Sequence, residues 1–197
     1  MASKNFFERF EERIRTREFK DYVKYIWLPA VIILGVIFAD LLTKTIIENN
    51  LKLGQSITII PDFLAFTYVL NEGAAFSILE GQRVFFIIIT IIAIIVLLSY
   101  LIYDCDKLTV LMKIAVALLI GGATGNLIDR VSIGAVRDFI EIIFFGYDLP
   151  LLGKSFAIFN IADTAITIGT ILLVIGVIIG HHKKEKTQEE PSQEAQG

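Results

Sequence analysis

The chain has 197 residues, of which 55% are hydrophobic, and its net charge is only −3. A soluble domain of this length rarely reaches that apolar fraction, so the composition indicates a membrane protein. Its basic residues form clusters and no stripe along one face, which argues against nucleic-acid binding. The single cysteine, Cys105, excludes an internal disulfide and a cysteine-based metal cluster.

Residues 1–25 form a charged leader. Phe6, Phe10 and Ile14 recur every four residues among the charges, which predicts an amphipathic helix lying on the inner leaflet. A solvated helix with incidental phenylalanines explains the same pattern equally well. At the other end, residues 181–197 are rich in Lys and Glu and lack aromatic residues, so we expect a disordered cytoplasmic tail.

Between these ends lies a predicted membrane domain, residues 26–180. Crossing the hydrocarbon core takes about 20 mainly apolar residues, and four stretches meet that requirement. They are residues 26–47, 84–103, 108–128 and 156–180. We interpret the first as a retained helix, because its apolar run exceeds that of a cleaved signal peptide.

Lys and Arg concentrate before the first span and after the last one. The positive-inside rule therefore places both termini in the cytoplasm, with residues 48–83 and 130–155 on the outer side.

Within the outer segment 48–83, two runs around Pro61 are rich in β-branched and aromatic residues. They predict two strands joined by a turn, a small sheet that rests on the membrane. The predicted fold is thus an all-α membrane protein with four transmembrane helices, a small extracytoplasmic β-sheet and an N-terminal amphipathic helix.

Polar residues inside the spans need an explanation, because they are costly in lipid. Asp40 and Lys44 are four residues apart with the acid first, the favourable order for a helical ion pair that clamps the helix end. Gly121 and Gly125 are spaced for close helix packing. Helix packing explains these glycines but not three polar residues at the outer end of the same span: Asn126, Asp129 and Arg130.

Two further motifs sit at the outer surface. The segment Asn71-Glu72-Gly73-Ala74-Ala75-Phe76 has small residues that let the backbone approach another group closely, although as a turn it is ordinary. The segment Phe159-Asn160-Ile161-Ala162-Asp163 places an acid at the start of an apolar run. Asp163 is either a functional residue or a helix N-cap.

Asp138 follows the third span and Asp163 opens the fourth, so topology brings both to the outer face. Two carboxylates about 3 Å apart share one proton, which lets one activate water while the other protonates a peptide. His181 and His182 lie beyond the fourth span, so zinc or Ser–His chemistry is not supported. We therefore expect an aspartic peptidase without a metal or other cofactor, with Asn126, Asn160 and Arg130 positioning the dyad or the peptide.

Taken together, these motifs resemble the bacterial lipoprotein signal peptidases (signal peptidase II). Five of them occur in the order of that family and at the same places relative to four spans, over residues 27–180. They are Asp40…Lys44, the Asn71 segment, the glycine-rich segment 121–130, Val136-Arg137-Asp138-Phe139 and the Asn160–Asp163 segment.

The resemblance implies an aspartic endopeptidase of the bacterial cytoplasmic (inner) membrane, with its active site at the extracytoplasmic face. Such an enzyme removes the signal peptide from prolipoproteins, cutting before a diacylglyceryl-modified cysteine. Asp138 and Asp163 would be catalytic. A supporting and substrate-binding set would be Asn71, Asn126, Arg130 and Asn160. A structural set would be Asp40, Lys44 and Asp129. The expected partners are the lipidated precursor and membrane lipid, and we expect a monomer.

One departure from the family pattern is the stretch 144–154 between the two aspartates, which is longer than the family leads us to expect. The sequence does not show how a substrate would pass this stretch to reach the two aspartates. The alternative function is a small transporter or channel subunit, which would place charges at the bilayer midplane within broken helices or repeats. The polar groups here gather at one interface instead. A presenilin-type protease would carry a Gly-x-Gly-Asp motif, which the sequence lacks.

Overall fold

We describe a computed structural model of the chain over residues 6–73, 82–145 and 157–189. The elements of this part of the chain follow in order: α1 (Phe6–Arg15), α2 (Phe19–Asn50), β1 (Ser56–Ile60), β2 (Leu64–Asn71), α3 (Arg83–Tyr103), α4 (Val110–Ser132), β3 (Val136–Ile142) and α5 (Ile161–Glu189). The stretch 144–154 lies outside the described residues from position 146 onward, as do residues 74–76 of the Asn71 segment.

Within these described residues, four helices are long and apolar enough to cross a membrane: α2, α3, α4 and the Ile161–Gly180 part of α5. This confirms the predicted membrane fold. Helix α4 is the central one, since half of its apolar window is buried inside the protein and it packs against α2, α3 and α5. Gly121 permits this packing, because a Cβ there would lie 2.9 Å from the Cβ of Val36.

The first and last membrane helices, α2 and α5, are longer than the spans predicted from the sequence. Helix α2 begins at Phe19, inside the predicted leader, where Asp21 accepts a hydrogen bond from the Glu18 N–H at 3.4 Å in a capping-box arrangement. Helix α5 continues to Glu189, nine residues into the segment that was predicted to be a disordered tail. No Gly or Pro interrupts that stretch, and the next helix breaker is Pro191.

The small sheet is antiparallel, in the order β1-β2-β3. Its third strand was missed by the sequence analysis, which assigned Val136–Ile142 to an outer loop. Strand β3 pairs with β2 so that Val69 faces Asp138 and Asn71 faces Val136. This pairing joins residues far apart in sequence, and it brings the Asn71 segment next to Asp138.

Helix α1 is helical, as its pattern predicts, and it lies against the protein's own turn between α3 and α4. The Phe10 and Tyr103 rings stack with their centroids 5.5 Å apart. Arg13 forms a 2.8 Å salt bridge with Asp106, and Arg17 donates a hydrogen bond of 2.8 Å to the Ile102 carbonyl. Residues 104–109 and the helix ends around them are called the turn end below, and the opposite end, which carries the strands, is called the sheet end.

Candidate active site

Asp138 lies on β3 at the sheet end and is only 2% exposed. Its carboxylate accepts hydrogen bonds from two side-chain amides. Asn71 Nδ2 donates to Oδ2 at 3.0 Å, and Asn160 Nδ2 donates to Oδ1 at 2.7 Å. Because Asn71 ends β2 and Asn160 directly precedes α5, three separate elements fix this carboxylate in place.

Asp163 lies in the first turn of α5. Its Oδ1 accepts a 2.7 Å hydrogen bond from Asn126 Nδ2, and its Oδ2 accepts one of 3.2 Å from the Asn160 backbone N–H. In return, the Asp163 N–H donates to Asn160 Oδ1 at 2.8 Å. This reciprocal pair is a capping box in which Asn160 is the N-cap and Asp163 the third residue of the helix. The Asp163 carboxylate therefore supports the helix start and also belongs to the polar cluster around Asp138.

Two asparagines connect the aspartates. Asn160 Nδ2 donates both to Asp138 and to Asn126 Oδ1, the latter at 3.0 Å. Lys44 Nζ also donates to Asn126 Oδ1, at 3.0 Å. Because the Asn126 oxygen already accepts from two donors, its amide nitrogen must face Asp163. The orientation of both amides therefore follows from the hydrogen bonds around them.

The environment of Asp138 favours its protonated form. Burial raises the pKa of Asp138 from an ordinary 3.8 to about 7, and the negative charge of Asp163 adds to the rise. The hydrogen bonds from Asn71 and Asn160 and the charge of Lys44 act in the opposite direction and only partly offset it. Near neutral pH this carboxyl can therefore both hold and release a proton.

A layer of buried charges supports the two aspartates. Lys44 Nζ lies 2.7 Å from Asp40 Oδ2 and 3.2 Å from Asp129 Oδ2, and all three side chains are fully buried. Asp40 Oδ1 accepts a 3.0 Å hydrogen bond from the Ala162 N–H, one residue before Asp163. The ion pair between Asp40 and Lys44, expected from their spacing, thus also anchors the start of α5.

The close approach of α4 to this layer requires a glycine. A Cβ at Gly125 would lie 2.6 Å from Asp40 Oδ2 and 3.3 Å from the Ala162 Cβ. The sequence assigned Gly125 to helix packing alone, but its contact is with a charged group of the site.

Arg137 is a residue whose role the sequence analysis missed. Its Nη2 lies 2.6 Å from Asp129 Oδ1, and its Nη1 lies 2.7 Å from Glu48 Oε2. Its backbone N–H donates to Asp129 Oδ2 at 3.0 Å. Arg137 therefore ties β3 to the ends of α2 and α4 immediately beside Asp138. The available signal in the sequence was its place directly before Asp138. Successive side chains of a strand face opposite sides, so a residue beside Asp138 contacts the groups on the other face of β3.

Arg130 is placed differently from Arg137. Its Nη2 donates to the Gly73 carbonyl at 3.4 Å, and its guanidinium carbon lies 5.1 Å from the centre of the Phe86 ring. It forms no salt bridge with any residue in the described part of the chain. Its charge is therefore available to a group that enters the site.

The site opens into a cavity of about 550 Å³. Its polar end is formed by the residues of the cluster, and the rest of its wall is largely apolar. The polar lining residues are Asn71, Asn126, Arg130, Asp138 and Asp163. The apolar ones include Val136, Ile158, Ile166 and Ile168. Such a cavity suits a ligand with an apolar body and a polar reacting group.

The structure thus brings together every residue that the sequence analysis placed at the site. Asn71, Asn126, Asn160, Asp138 and Asp163 form one hydrogen-bonded cluster, Arg130 lines the cavity, and the three buried charges lie next to it. Among residues 6–73, 82–145 and 157–189, no three His, Cys, Asp or Glu side chains are arranged to hold a metal ion.

Comparison with known proteins agrees with this arrangement. A family model described as signal peptidase (SPase) II matches residues 32–179. Lipoprotein signal peptidases of Staphylococcus aureus strains RF122 and MRSA252 are each 44% identical over 163 residues, covering 82% of this chain and 95% of theirs.

Two solved structures described as bacterial membrane enzymes are also similar. One has a TM-score of 0.71 at 42% identity and covers 81% of this chain and 93% of its own. The other has a TM-score of 0.66 at 44% identity and covers 78% of this chain and 94% of its own. The chain therefore belongs to the signal peptidase II family and is a multi-pass membrane peptidase of the aspartic type.

Proposed function

We propose that the chain removes the signal peptide from diacylglyceryl-modified prolipoproteins, with Asp138 and Asp163 as its catalytic residues. One observation carries this assignment: both carboxylates line one cavity. The pKa of Asp138, raised to about 7 by burial and by the charge of Asp163, supports it. The proposal rests on membership of the family and on the relatives named as lipoprotein signal peptidases.

In the proposed reaction, Asp138 holds a proton and Asp163 is ionised. Asp163 accepts a proton from a water molecule, whose oxygen attacks the carbonyl carbon of the scissile peptide. Asp138 gives its proton to the carbonyl oxygen, so the product of this step is a neutral gem-diol. Collapse of the gem-diol breaks the C–N bond, and the leaving nitrogen receives the proton held by Asp163. The second gem-diol hydroxyl returns a proton to Asp138, which restores the starting state.

The neighbouring polar residues position these groups. Asn71 and Asn160 hold the Asp138 carboxyl, and Asn126 holds that of Asp163. We assign to Arg130 the binding of a carbonyl oxygen of the substrate, because its guanidinium lines the cavity. Asp40, Lys44 and Asp129 have a structural role, which follows from their complete burial and mutual pairing.

The apolar wall of the cavity supports a lipid-bearing substrate. A diacylglyceryl chain requires an apolar path from the bilayer to the reacting carboxyls, and the isoleucines of α5 provide one next to Asp163. We place the sheet end on the extracytoplasmic side and both termini in the cytoplasm, following the distribution of Lys and Arg. We also propose that the chain acts as a monomer.

The test is a gel-shift cleavage assay on a diacylglyceryl-modified prolipoprotein, with the purified protein beside its Asp163→Asn variant. The wild type should release the signal peptide, and the variant should not. The same precursor without its diacylglyceryl group is the substrate control and should be cleaved far more slowly. Equal cleavage of both precursors would contradict the proposed substrate class, and full activity of the variant would contradict the proposed site.

A further inference from the structure

A buried lysine at the turn end has no role in the active site. Lys113 lies in the first turn of α4 and is only 9% exposed. In the described part of the chain it has no salt bridge and no hydrogen-bond acceptor for its ammonium group. Its ammonium lies over the ring of Tyr25, whose centre is 4.8 Å from Nζ. No side-chain nitrogen or oxygen of the described residues is both fully buried and unpartnered, so this ammonium reaches the protein surface, where a ligand can contact it.

A second lysine reaches the same ring. Lys24 Nζ lies 5.1 Å from the Tyr25 centroid, and no acid among the described residues pairs with it. The two ammonium groups therefore lie within about 10 Å of each other, a separation close to the Debye length in about 0.1 M salt. The N-terminal end of α4 adds a partial positive charge. Lys24 and Lys113, called the lysine pair below, thus form an uncompensated positive site.

The aromatic residues around this site mark the level of the lipid headgroups. Tyr22, Tyr25 and the 58%-exposed Trp27 lie on α2, and Tyr103 ends α3. Tyr and Trp gather where a membrane protein meets the headgroup region. The Tyr25 hydroxyl has no hydrogen-bond partner among the described residues, so it is free to donate to a ligand.

A simpler explanation is that both lysines extend their charges into water. Lys113 differs from an ordinary surface lysine, because only 9% of the residue is exposed. Lys107, on the adjoining turn, keeps 64% of its side chain exposed and lies 4.0 Å from Asp104. Most of the Lys113 side chain is covered, and its ammonium lies over the Tyr25 ring beside a second cation and without an acid, so an anion at this point is attracted by both lysines.

We propose that the lysine pair and the Tyr25 hydroxyl bind the phosphate of an anionic phospholipid headgroup in the leaflet at the turn end. Two ammonium groups and a hydroxyl supply charge-assisted donors for phosphate oxygens. A lipid suits the site better than a free anion, because the site lies at headgroup depth and beside exposed apolar surface of α2. This site is separate from the peptidase site and does not depend on the proposed substrate.

The test is native mass spectrometry of the detergent-solubilised full chain titrated with phosphatidylglycerol, phosphatidylcholine or inorganic phosphate. We expect at least one phosphatidylglycerol to bind far more tightly than phosphatidylcholine. Lys24→Gln and Lys113→Gln should each weaken its binding about fivefold, and the double variant roughly 25-fold. Lys20→Gln is the matched control, since Lys20 is exposed and already paired with Glu18 at 2.8 Å, and it should leave binding unchanged.

Cleavage activity of each variant checks that it is folded. If Lys113→Gln does not fold, Lys24→Gln alone decides, because Lys24 is exposed. Unchanged phosphatidylglycerol binding in that variant would overturn the proposal. So would equal binding of phosphatidylcholine, or complete displacement of phosphatidylglycerol by millimolar inorganic phosphate, which would indicate a site for free anions.

Discussion

Replacing Asp138 by asparagine should stabilise the protein at alkaline pH while removing its proposed activity. The reason is the raised pKa of Asp138, from an ordinary 3.8 to about 7, caused first by burial. The unfolded chain releases this proton near pH 4, whereas the folded protein keeps it until about pH 7. Between these values the folded state binds more protons, so its stability falls as the pH rises.

The magnitude follows from the two pKa values. A difference of about three pH units corresponds to roughly 4 kcal/mol lost by pH 8. Asparagine cannot ionise and avoids this loss. Its single acceptor oxygen cannot replace both hydrogen bonds that the carboxylate accepts from Asn71 and Asn160, which costs about 1–2 kcal/mol. The net gain should be about 2 kcal/mol at pH 8. At pH 5 only roughly 1.6 kcal/mol has been lost, because the pH is little above the unfolded pKa, so the loss and the hydrogen-bond cost cancel and no gain is expected.

Thermal unfolding in detergent at pH 5 and pH 8 measures this effect. A gain of about 2 kcal/mol corresponds to a rise in Tm of roughly 4–8 °C for a chain of this size. Asp62→Asn is the control, because Asp62 is exposed on the turn between β1 and β2, and its Tm should be unchanged. A Tm for Asp138→Asn at pH 8 that is equal to or below that of the wild type would refute the reasoning.

Three further predictions concern the proton, the packing and the buried cation. Cleavage should fall about tenfold per pH unit above about pH 7 as Asp138 loses its proton, and Asn71→Ala should move this fall to higher pH because the Asn71 hydrogen bond lowers the pKa of Asp138. Gly125→Ala should lower stability by about 1–3 kcal/mol, since its methyl group would lie 2.6 Å from a buried carboxylate oxygen. Lys44→Met should cost about 3–5 kcal/mol, because two buried carboxylates lose their shared cation.

Each of these has a result that contradicts it. An unchanged pH profile in Asn71→Ala would show that this amide does not act on the Asp138 proton. Gly35→Ala is the control for the glycine, because a Cβ at Gly35 meets nothing within 4 Å; equal Tm changes at the two glycines would exclude the packing argument. A Tm of Lys44→Met within a degree of the wild type would mean that the carboxylates are compensated in another way.

The polar side chains of the spans were the most predictable part of the site. Asp40, Lys44, Asn126 and Asp129 lie in otherwise apolar helices, and lipid offers them no partners. Their polar groups must therefore pair with one another inside the protein. Lys44 does so by donating hydrogen bonds to Asp40 and Asn126. Counting spans was enough to bring Asp138 and Asp163 to the same end of the bundle.

The strand that carries Asp138 was not predictable in the same way. Val136–Ile142 follows α4 directly, and nothing local distinguishes it from a loop. Its pairing with β2 spans a large separation in sequence, so the partner that makes it a strand is not visible in the local sequence pattern. The same reason hid Arg137, whose two acidic partners come from α2 and α4.

The docking of α1 was equally hidden. The spacing of Phe10 and Ile14 predicts an amphipathic helix, but it does not say which surface the apolar side covers. The answer depends on Asp106 and Tyr103, which bind Arg13 and stack on Phe10. Periodicity identifies the face of a helix, whereas its partner is a property of the folded chain.

The central claim is that Asp138 and Asp163 act as one catalytic unit. The most direct test compares cleavage rates of a diacylglyceryl-modified prolipoprotein by Asp138→Asn, Asp163→Asn and the double variant, each first shown to be folded by thermal unfolding. Residues that act as a unit are non-additive, so each single variant should be as inactive as the double one. A wild-type rate in either single variant, or single losses that multiply to give the double, would contradict the account.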